Sequence, residues 1–218
     1  MRDGRMTDPE WFARHPVKVA YDLLGCVLVT NRDGGQVAGR IVEVEAYAGP
    51  ADPASHAARR ELSREVMGGP TGHIYTYLSY GVHHMMNIVA HEDGEVGGVL
   101  MRAIEPLEGI DLMEARRGGV PFQNLGKGPG SLGQALAIRL SDIRANLMTS
   151  AELAIYQGEP DAEADIFAGP RIGISRAIHA PWRFFEHPSR FVSSHKRGEP
   201  VTRDEVPLLI PPPGVPIE

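Results

Sequence analysis

Cysteine is nearly absent from this sequence, since Cys26 is alone among 218 residues. A single cysteine excludes an intrachain disulfide, a four-cysteine zinc site and an iron–sulfur cluster held by the protein. Because Cys26 lies in the apolar run 23–29, we expect it to be a small buried side chain. The lack of a disulfide framework favours a reducing cytoplasm.

Long apolar runs are missing as well. The longest nearly unbroken one, residues 23–29, is far shorter than the roughly 20 residues that a transmembrane helix needs. The first ten residues include Asp3, Asp8 and Glu10 and contain no apolar segment, which is not the pattern of a signal peptide. We therefore expect no membrane association.

Positive charge is in deficit, with 22 basic against 28 acidic residues and a formal net charge of −6. This balance argues mildly against a polyanion as partner. The charge is uneven, because residues 152–165 hold five acidic and no basic side chains, whereas residues 166–203 hold seven basic and two acidic ones. Arginine suits bidentate phosphate contacts, and an ordinary solvated surface is the alternative interpretation of the basic stretch.

The sequence does contain many short strand patterns separated by turns. Helices are predicted at 16–24, 106–117 and 131–138, and strands at 26–30, 37–47, 73–80, 82–90 and 96–104. Tight turns rather than helices join successive strands, which favours antiparallel pairing. The expected fold is a single mixed α/β (α+β) domain over 1–218, with a largely antiparallel curved sheet, a protruding β-hairpin, surrounding helices and a loose proline-rich tail at 211–218.

Residues 48–72 contain several glycines and prolines and little periodicity, so they predict a long loop with at most one helical turn. Loops of this length in compact domains are usually functional or disordered. The loop carries Asp52 and His56 and follows directly after the strand predicted at 37–47. A functional site at this junction is the simplest interpretation.

The strand at 37–47 carries the first candidate catalytic groups. Strict alternation divides its side chains between two faces: Val42, Val44 and Ala46 on one, and Ile41, Glu43, Glu45 and Tyr47 on the other. A carboxylate and an aromatic ring on one face either line a pocket or face water. The pattern alone favours water for Glu43 and Glu45, whereas the adjoining loop favours a pocket.

Three of the six tyrosines, Tyr75, Tyr77 and Tyr80, lie within six residues. Alternation puts Tyr75 and Tyr77 on one strand face and Tyr80 on the other, beside Gly81 at a predicted hairpin tip. Strand cores often use tyrosine, and the alternative is a stacking platform with an exposed wedge, as in nucleic-acid-binding proteins. A side chain at a tight tip has little core to enter, which favours a wedge at Tyr80.

Histidines are frequent between residues 56 and 91, but their spacing argues against a metal site. His83 and His84 point to opposite faces of one strand, and no His-Glu-x-x-His or His-x-His pair occurs. The sequence also lacks the Gly-x-Ser-x-Gly elbow of serine hydrolases and the spacing of a Walker loop. We expect no metal and no other cofactor; a histidine-dependent metal hydrolase stays as a hypothesis that EDTA-insensitive activity would exclude.

Four segments, in this order along the chain, resemble the alkyladenine (3-methyladenine) DNA glycosylase family. They are 42–47 followed by Gly49-Pro50, Asp52 and Ser55-His56; 75–81 continuing to Met86-Asn87; 100–109; and 128–136. The set covers about residues 40–140 and is specific as a whole, although no single segment would be. The resemblance implies a compact single α/β domain that acts on double-stranded DNA containing damaged purines, as a monomer and without a cofactor.

The resemblance also implies residue roles. Glu45 corresponds to the general base that activates water. Tyr80 corresponds to the hairpin residue that enters the minor groove and takes the place of the flipped nucleotide. Tyr47 on one side, and His56 with Tyr77 on the other, correspond to the aromatic side chains that stack on the flipped purine.

Two further positions complete the implied pocket. Asn87 corresponds to the residue that screens purines by crowding an exocyclic amino group, and Arg102 to one that helps place the flipped nucleotide. Candidate contacts with the DNA backbone are Arg59, Arg60, Arg64 and Lys127. The loop 59–69 departs from the family pattern, because Ser63-Arg64 stands where a Thr-Pro-Arg-Asn-like stretch is usual. This departure bears on substrate range and on flipping rather than on the class of reaction.

The chemistry agrees with these residue types. An alkylated purine carries positive charge, so electron-rich aromatic faces bind it better than the neutral base. Such a base is a good leaving group, so a water molecule and an ionised Glu45 suffice for hydrolysis. The matched segments offer no amine nucleophile, so we expect an abasic product without strand cleavage. Expected substrates are 3-methyladenine, 7-methylguanine and possible deaminated or etheno purines.

The alternative is a non-catalytic protein of the same fold that binds lesions or abasic DNA. A DNA substrate implies a cytoplasmic location at the nucleoid in a bacterium, or a nuclear one in a eukaryote.

Overall fold

The computed structural model describes residues 4–193 and 197–217. Its helices are α1 (Pro16–Leu23), α2 (Glu61–Met67), α3 (Ile110–Arg117) and α4 (Pro129–Ala135). Its strands are β1 (Val27–Arg32), β2 (Gly35–Tyr47), β3 (Ile74–Ser79), β4 (His83–Val89), β5 (Gly98–Glu108), β6 (Leu153–Tyr156), β7 (Asp165–Gly169), β8 (Arg183–His187) and β9 (Glu199–Pro200). Lys196, part of the basic stretch, lies outside the described residues.

Within the described residues, the nine strands form one open antiparallel sheet. Along the sheet the order is β3-β4-β5-β2-β8-β7-β9, and β1 pairs with both β2 and β6. The expected mixed α/β domain with an antiparallel sheet is confirmed, and β3 and β4 form the hairpin anticipated around Gly81. Each strand of that hairpin begins and ends one residue inside its predicted range.

The long strand β2 does not keep the predicted alternation. Its register with β5 is irregular on both sides of Glu43. As a result Ile41 packs into the main core together with Val44, whereas Val42 packs against Phe185 in a separate cluster. An extra residue in one strand of a pair reverses which side chains share a face, and such bulges often re-aim a side chain next to an active site. The prediction that put Val42 with Val44 is therefore wrong.

The segment predicted as a loop at 48–72 is more helical than expected. It contains two 3-10 turns, Gly49–Ala51 and His56–Ala58, followed by α2, which is about two turns long. Val66 and Met67 on α2 are buried and pack against β3. Helix formation here follows from tertiary packing of these side chains, because a helix this short is not stable on its own.

The helix predicted at 106–117 begins later, because β5 continues to Glu108. Gly109 separates the two elements with a φ of 69°, in the left-handed region that a residue with a Cβ rarely adopts. A Cβ at this position would also lie 2.3 Å from the carbonyl oxygen of Gln36. The glycine thus allows the chain to turn from strand to helix directly against β2.

The main apolar core lies on one face of the sheet, where α1 and α4 pack on β2, β4 and β5. Cys26 is buried in it, as predicted, and burial raises the pKa of its thiol to about 12. A smaller cluster on the opposite face joins α2 to β3 and β4 and includes Tyr75. The side chains of interest for function lie on that second face.

Candidate active site and DNA interface

A row of directly paired residues crosses four neighbouring strands on the face opposite the main core. Tyr75 of β3 pairs with Asn87 of β4, Asn87 with Leu100 of β5, and Leu100 with Glu45 of β2. Side chains at directly opposite positions of an antiparallel pair are about 5 Å apart. The sheet therefore brings together groups from four separate stretches of sequence.

A cavity of about 630 Å³ opens on this row. Eight of the predicted site residues line it: Tyr47, His56, Arg59, Arg60, Tyr77, Tyr80, Asn87 and Arg102. Residues without an assigned role from the sequence also line it, among them Tyr75, Met85, Leu100, Pro129 and Ile172. Glu45 is not part of the lining: its side chain is fully buried and contacts three residues of the cavity wall.

The carboxylate of Glu45 is held by three donors. Its Oε1 accepts a 2.7 Å hydrogen bond from the backbone N–H of Ile172 and lies 3.1 Å from Nη1 of Arg102. Its Oε2 accepts a 2.8 Å hydrogen bond from the hydroxyl of Tyr47. Burial, followed by the charge of Glu45, raises the pKa of the Tyr47 phenol well above its usual value. The Tyr47 hydroxyl therefore keeps its proton and acts as a donor.

Glu43 is a second buried carboxylate at the site, and the sequence analysis gave it no role. It is fully buried, which makes the solvent-facing interpretation of Glu43 and Glu45 wrong. Its carboxylate accepts hydrogen bonds from Arg102 (3.2 Å), Arg183 (3.1 Å) and both the backbone N–H and the hydroxyl of Ser193. Burial raises its pKa, but Arg102, Ser193 and Arg183 outweigh burial and leave the pKa below its usual value.

Arg102 connects the two carboxylates. Its Nε faces Glu43 and its Nη1 faces Glu45. Burial disfavours its charged form, but the charges of Glu45 and Glu43 together hold its pKa above the usual value. Arg102 has no paired residue on β2, because its neighbours Met101 and Ala103 pair with the consecutive residues Val44 and Glu43. This is the second of the two irregularities that flank Glu43 in the register of β2 with β5. The bulge gives the guanidinium its direction toward both carboxylates.

A second buried ion pair, between Arg171 and Asp52, lies next to the ring of Tyr47. Arg171 and Asp52 are fully buried, with Nη2 and Oδ1 at 3.0 Å. Asp52 also accepts a 3.0 Å hydrogen bond from the N–H of Ala54 in the loop that leads to His56. The guanidinium carbon of Arg171 lies 4.8 Å from the ring centroid of Tyr47, a cation–π distance. Arg171 thus contacts both Asp52 and the ring of Tyr47, and the backbone N–H of the next residue, Ile172, donates to Glu45.

His56 packs against two tyrosines in the lining of the cavity. Its ring centroid lies 4.4 Å from that of Tyr77 and 6.3 Å from that of Tyr75. Burial, together with the positive charges of Arg60 and Arg59, lowers the pKa of His56 to about 4. The imidazole is therefore neutral at physiological pH. The N–H of Ala57 donates a hydrogen bond to the Oγ of Ser55, which caps the start of the turn that carries this ring.

Tyr80 occupies the tip of the β3–β4 hairpin and is 92% exposed. Its φ is 50°, and that of Gly81 is 73°, as in the tight turns that suit a hairpin. Leu78 and Val82 beside it are also exposed. The alternative that Tyr80 belongs to the core is excluded by this exposure, and the tip presents apolar side chains at the edge of the cavity.

The basic residues are distributed unevenly around the site. Arg59 and Arg60 are exposed and line the cavity, and Arg64 is exposed while its Nε donates to the carbonyl of Ala57. Lys127 is half-buried, and its backbone pairs with Ala103 of β5.

The basic stretch 166–203 is less accessible than its composition indicates. Arg171 and Arg183 are buried in ion pairs. Arg176 and Arg190 are exposed. Part of the positive charge of this stretch therefore neutralises buried carboxylates instead of forming a surface.

In the residues that the structure describes, no group of three histidine, cysteine or acidic side chains is arranged to hold a metal ion. No helix of the described chain is long and apolar enough to cross a membrane.

Comparison with known proteins gives consistent results. The family described as methylpurine-DNA glycosylase (MPG) matches residues 10–190. A protein of Carboxydothermus hydrogenoformans is 43% identical over 185 residues, which cover 84% of this chain and 96% of that protein. A protein of Chlorobaculum parvum is 42% identical over 194 residues, covering 88% and 92%, and one of Corynebacterium efficiens is 44% identical over 187 residues, covering 85% and 94%. All three bear the name "Putative 3-methyladenine DNA glycosylase".

Proposed function

Because the chain belongs to the methylpurine-DNA glycosylase family, we propose that it excises alkylated purines from double-stranded DNA by hydrolysis of the N-glycosidic bond. The observation that carries this proposal is the environment of Glu45. A buried carboxylate directly behind the wall of a cavity of about 630 Å³ is held by Tyr47, Arg102 and the backbone of Ile172. The cavity exceeds the volume of a purine, and Tyr47, His56 and Tyr77 are among its lining residues.

In this proposal Glu45 is the general base. It accepts a proton from a water molecule whose oxygen attacks C1′ of the flipped nucleotide, while the N-glycosidic bond breaks and the base departs with the bonding electrons. The positive charge that develops on the sugar is offset by the carboxylate. Water reaches Oε2 when the hydroxyl of Tyr47 yields its place, since Glu45 itself is fully buried in the free protein.

The aromatic side chains bind the flipped base. Tyr47 stacks on one face of the purine and His56 with Tyr77 on the other, and all three line the cavity. A cationic alkylated base gains from electron-rich rings. Asn87 lines the same cavity, and its amide donates a 3.1 Å hydrogen bond to the carbonyl of Tyr75. This bond fixes the Asn87 side chain in the cavity lining. There it crowds any purine whose exocyclic amino group would point at Asn87.

Tyr80 fills the gap that the flipped nucleotide leaves in the duplex. Its exposure at a hairpin tip supports this role, because an intercalating side chain must protrude from the fold. Flipping costs a few kcal/mol and is easiest at damaged or mispaired sites, which adds selectivity. Arg59, Arg60, Arg64 and Lys127 are proposed to contact phosphates on either side of the lesion. The protein acts as a monomer in this proposal.

The test is release of free base from duplexes that contain 3-methyladenine, 7-methylguanine, hypoxanthine or ethenoadenine. The Glu45→Gln variant is expected to lose at least about 100-fold in single-turnover rate, the lower end of what a general base contributes. The matched control is Glu114→Gln, which changes an exposed carboxylate on α3 and should keep full activity.

Each other outcome of that assay has a definite meaning. Full activity of Glu45→Gln would contradict the assignment of the base. Tight binding to abasic DNA with no release of any base by the unaltered protein would favour a non-catalytic lesion-binding protein. Strand cleavage at the abasic product, trapped by borohydride, would contradict simple hydrolysis.

A further inference from the structure

A chain of hydrogen bonds leads from α2 to the aromatic wall. The hydroxyl of Tyr75 lies 2.7 Å from the Oγ of Ser63 and 3.1 Å from Nδ1 of His56. Ser63 and Tyr75 are both buried, and neither was assigned a role from the sequence. Tyr75 and His56 line the cavity and Ser63 contacts Tyr75 from α2, so these hydrogen bonds restrain the orientation of the His56 ring.

The direction of the chain follows from counting its protons. If Tyr75 donates its one proton to one of these two neighbours and both contacts are hydrogen bonds, a neutral imidazole and two hydroxyl groups have two arrangements. If Nδ1 of His56 donated to Tyr75, and Tyr75 donated to Ser63, the proton of the Ser63 hydroxyl would be buried without an acceptor among the described residues. In the opposite arrangement Ser63 donates to Tyr75 and Tyr75 donates to Nδ1, so every buried proton is used. Buried donors without a partner are the rarer and costlier defect.

We propose that Ser63 and Tyr75 are positioning residues that hold His56 as the neutral tautomer with its proton on Nε2, so that Nε2–H donates to an oxygen or nitrogen acceptor of the flipped nucleotide. Nε2 has no protein partner in the described part of the chain, and His56 lines the cavity. The low pKa of His56 supports a neutral ring over the physiological range. The acceptor lies either on the purine edge or on the sugar–phosphate backbone, which the test below distinguishes.

This inference rests on the proposed function for its ligand but not for its first measurement. The ¹⁵N chemical shifts of His56 in the free protein distinguish the two neutral tautomers without any DNA. We expect the Nε2-protonated form in the unaltered protein, and a mixture of tautomers in Tyr75→Phe, where Nδ1 loses its donor. An Nδ1-protonated ring in the unaltered protein would overturn the proposal, whether or not the protein is a glycosylase.

The second measurement is a double-mutant cycle of Ser63→Ala and Tyr75→Phe. Loss of one neutral hydrogen bond predicts a decrease of about 2- to 10-fold in affinity or in kcat/KM for Ser63→Ala. Because Ser63 acts through Tyr75, Ser63→Ala should have no further effect when Tyr75→Phe is already present. Ser63→Thr, which keeps the hydroxyl, should retain the affinity and the kcat/KM that Ser63→Ala loses. Additive effects of the two substitutions would contradict the proposal that Ser63 acts on His56 through Tyr75.

The acceptor of the Nε2–H hydrogen bond determines which DNA duplexes lose affinity when Ser63 or Tyr75 is replaced. A duplex with an abasic site keeps the phosphates but has no base, whereas hypoxanthine and 3-methyladenine differ at position 6 of the ring, with an oxo acceptor and an amino donor respectively. Equal loss for all three duplexes identifies a backbone oxygen as the acceptor. Loss confined to the base-containing duplexes, or to hypoxanthine, identifies the purine edge. No loss for any duplex would contradict the proposal.

Matched controls separate this role from a general effect on folding. Ser141→Ala changes an exposed serine, and Tyr156→Phe changes a tyrosine on β6, away from the cavity. Both should leave base release and His56 shifts unchanged. Thermal unfolding of every variant shows whether it is folded at the assay temperature. If Tyr75→Phe does not fold, the tautomer measurement on the unaltered protein and the Ser63→Ala and Ser63→Thr pair still decide the question.

Discussion

The hydroxyl of Tyr47 donates a 2.8 Å hydrogen bond to Oε2 of Glu45. One residue of the aromatic wall is thereby linked directly to the proposed base, two positions earlier on the same strand. The contact stabilises the ionised carboxylate, since hydrogen bonds to charged groups are stronger than neutral ones. In the proposed mechanism it also covers the oxygen that the attacking water needs, so we expect the Tyr47 hydroxyl to leave this position when a base binds.

Replacing Tyr47 by phenylalanine tests this link. The ring remains for stacking, but the buried carboxylate of Glu45 loses one of its three donors, so the free energy of unfolding should decrease. A hydrogen bond to a charged group is worth about 1.5–3 kcal/mol, a difference that urea unfolding measures. Tyr156→Phe is the control. An unchanged free energy of unfolding would mean that the hydroxyl does not stabilise the carboxylate.

Tyr80→Ala should separate DNA distortion from protein stability. The side chain is 92% exposed, so its removal should change the free energy of unfolding by less than about 0.5 kcal/mol. For a chain of this size the melting temperature should move by no more than about 2 °C. Affinity for lesion-containing duplexes and the rate of flipping, followed by 2-aminopurine fluorescence next to the lesion, should fall. A large decrease in melting temperature with normal flipping would contradict the wedge.

Removing Arg171 should destabilise the protein strongly. Arg171→Met leaves Asp52 as an unpaired buried charge and removes the cation behind the Tyr47 ring. Breaking a buried ion pair in this way costs about 3–5 kcal/mol, measurable by urea unfolding. Arg176→Met, at an exposed arginine five residues later, should stay within about 0.5 kcal/mol of the unaltered protein. Equal stability of the two variants would mean that the pair does not hold the loop of His56.

Stability should decrease on mild acidification. The pKa of His56 is about 4 in the folded protein, against an ordinary value of 6.5 in the unfolded chain. Between these values the unfolded chain binds more protons, so the contribution of His56 is fully present above pH 6.5 and is lost as the pH falls through 4. Burial lowers the pKa of His15 and His73 in the same direction. His56→Asn should therefore make the free energy of unfolding less dependent on pH in this window; an unchanged slope would contradict a neutral buried ring.

Affinity for DNA should decrease as the salt concentration rises. If Arg59 contacts a phosphate, Arg59→Gln should reduce the slope of log Kd against log salt by up to about one. Arg203→Gln is the control, because Arg203 pairs with Asp22 on α1 and lies outside the cavity. Equal slopes for Arg59→Gln and the unaltered protein would remove Arg59 from the proposed DNA contacts.

Local patterns were sufficient for most of the secondary structure. Hydrophobic alternation and turn residues predicted α1, the β3–β4 hairpin and the exposed tip at Tyr80, because these features depend on neighbours in the chain. The prediction failed at Val42 and at α2. At Val42 a bulge changes the face, and α2 is stabilised by burial of Val66 and Met67 against a distant strand. Neither effect is a property of the residues nearby in sequence.

The same division holds for the site. The resemblance of four ordered segments to a glycosylase family implied roles for Glu45, Tyr47 and His56, whereas the strand pattern alone favoured a solvent-facing Glu45. Only the tertiary structure decided that Glu45 is fully buried and that Arg102 bridges it to Glu43. It also decided that Ser63 is in contact with His56 through Tyr75. Burial and hydrogen-bond direction arise from strand register and from packing between segments far apart in the chain, and these are what set the protonation and orientation of each group.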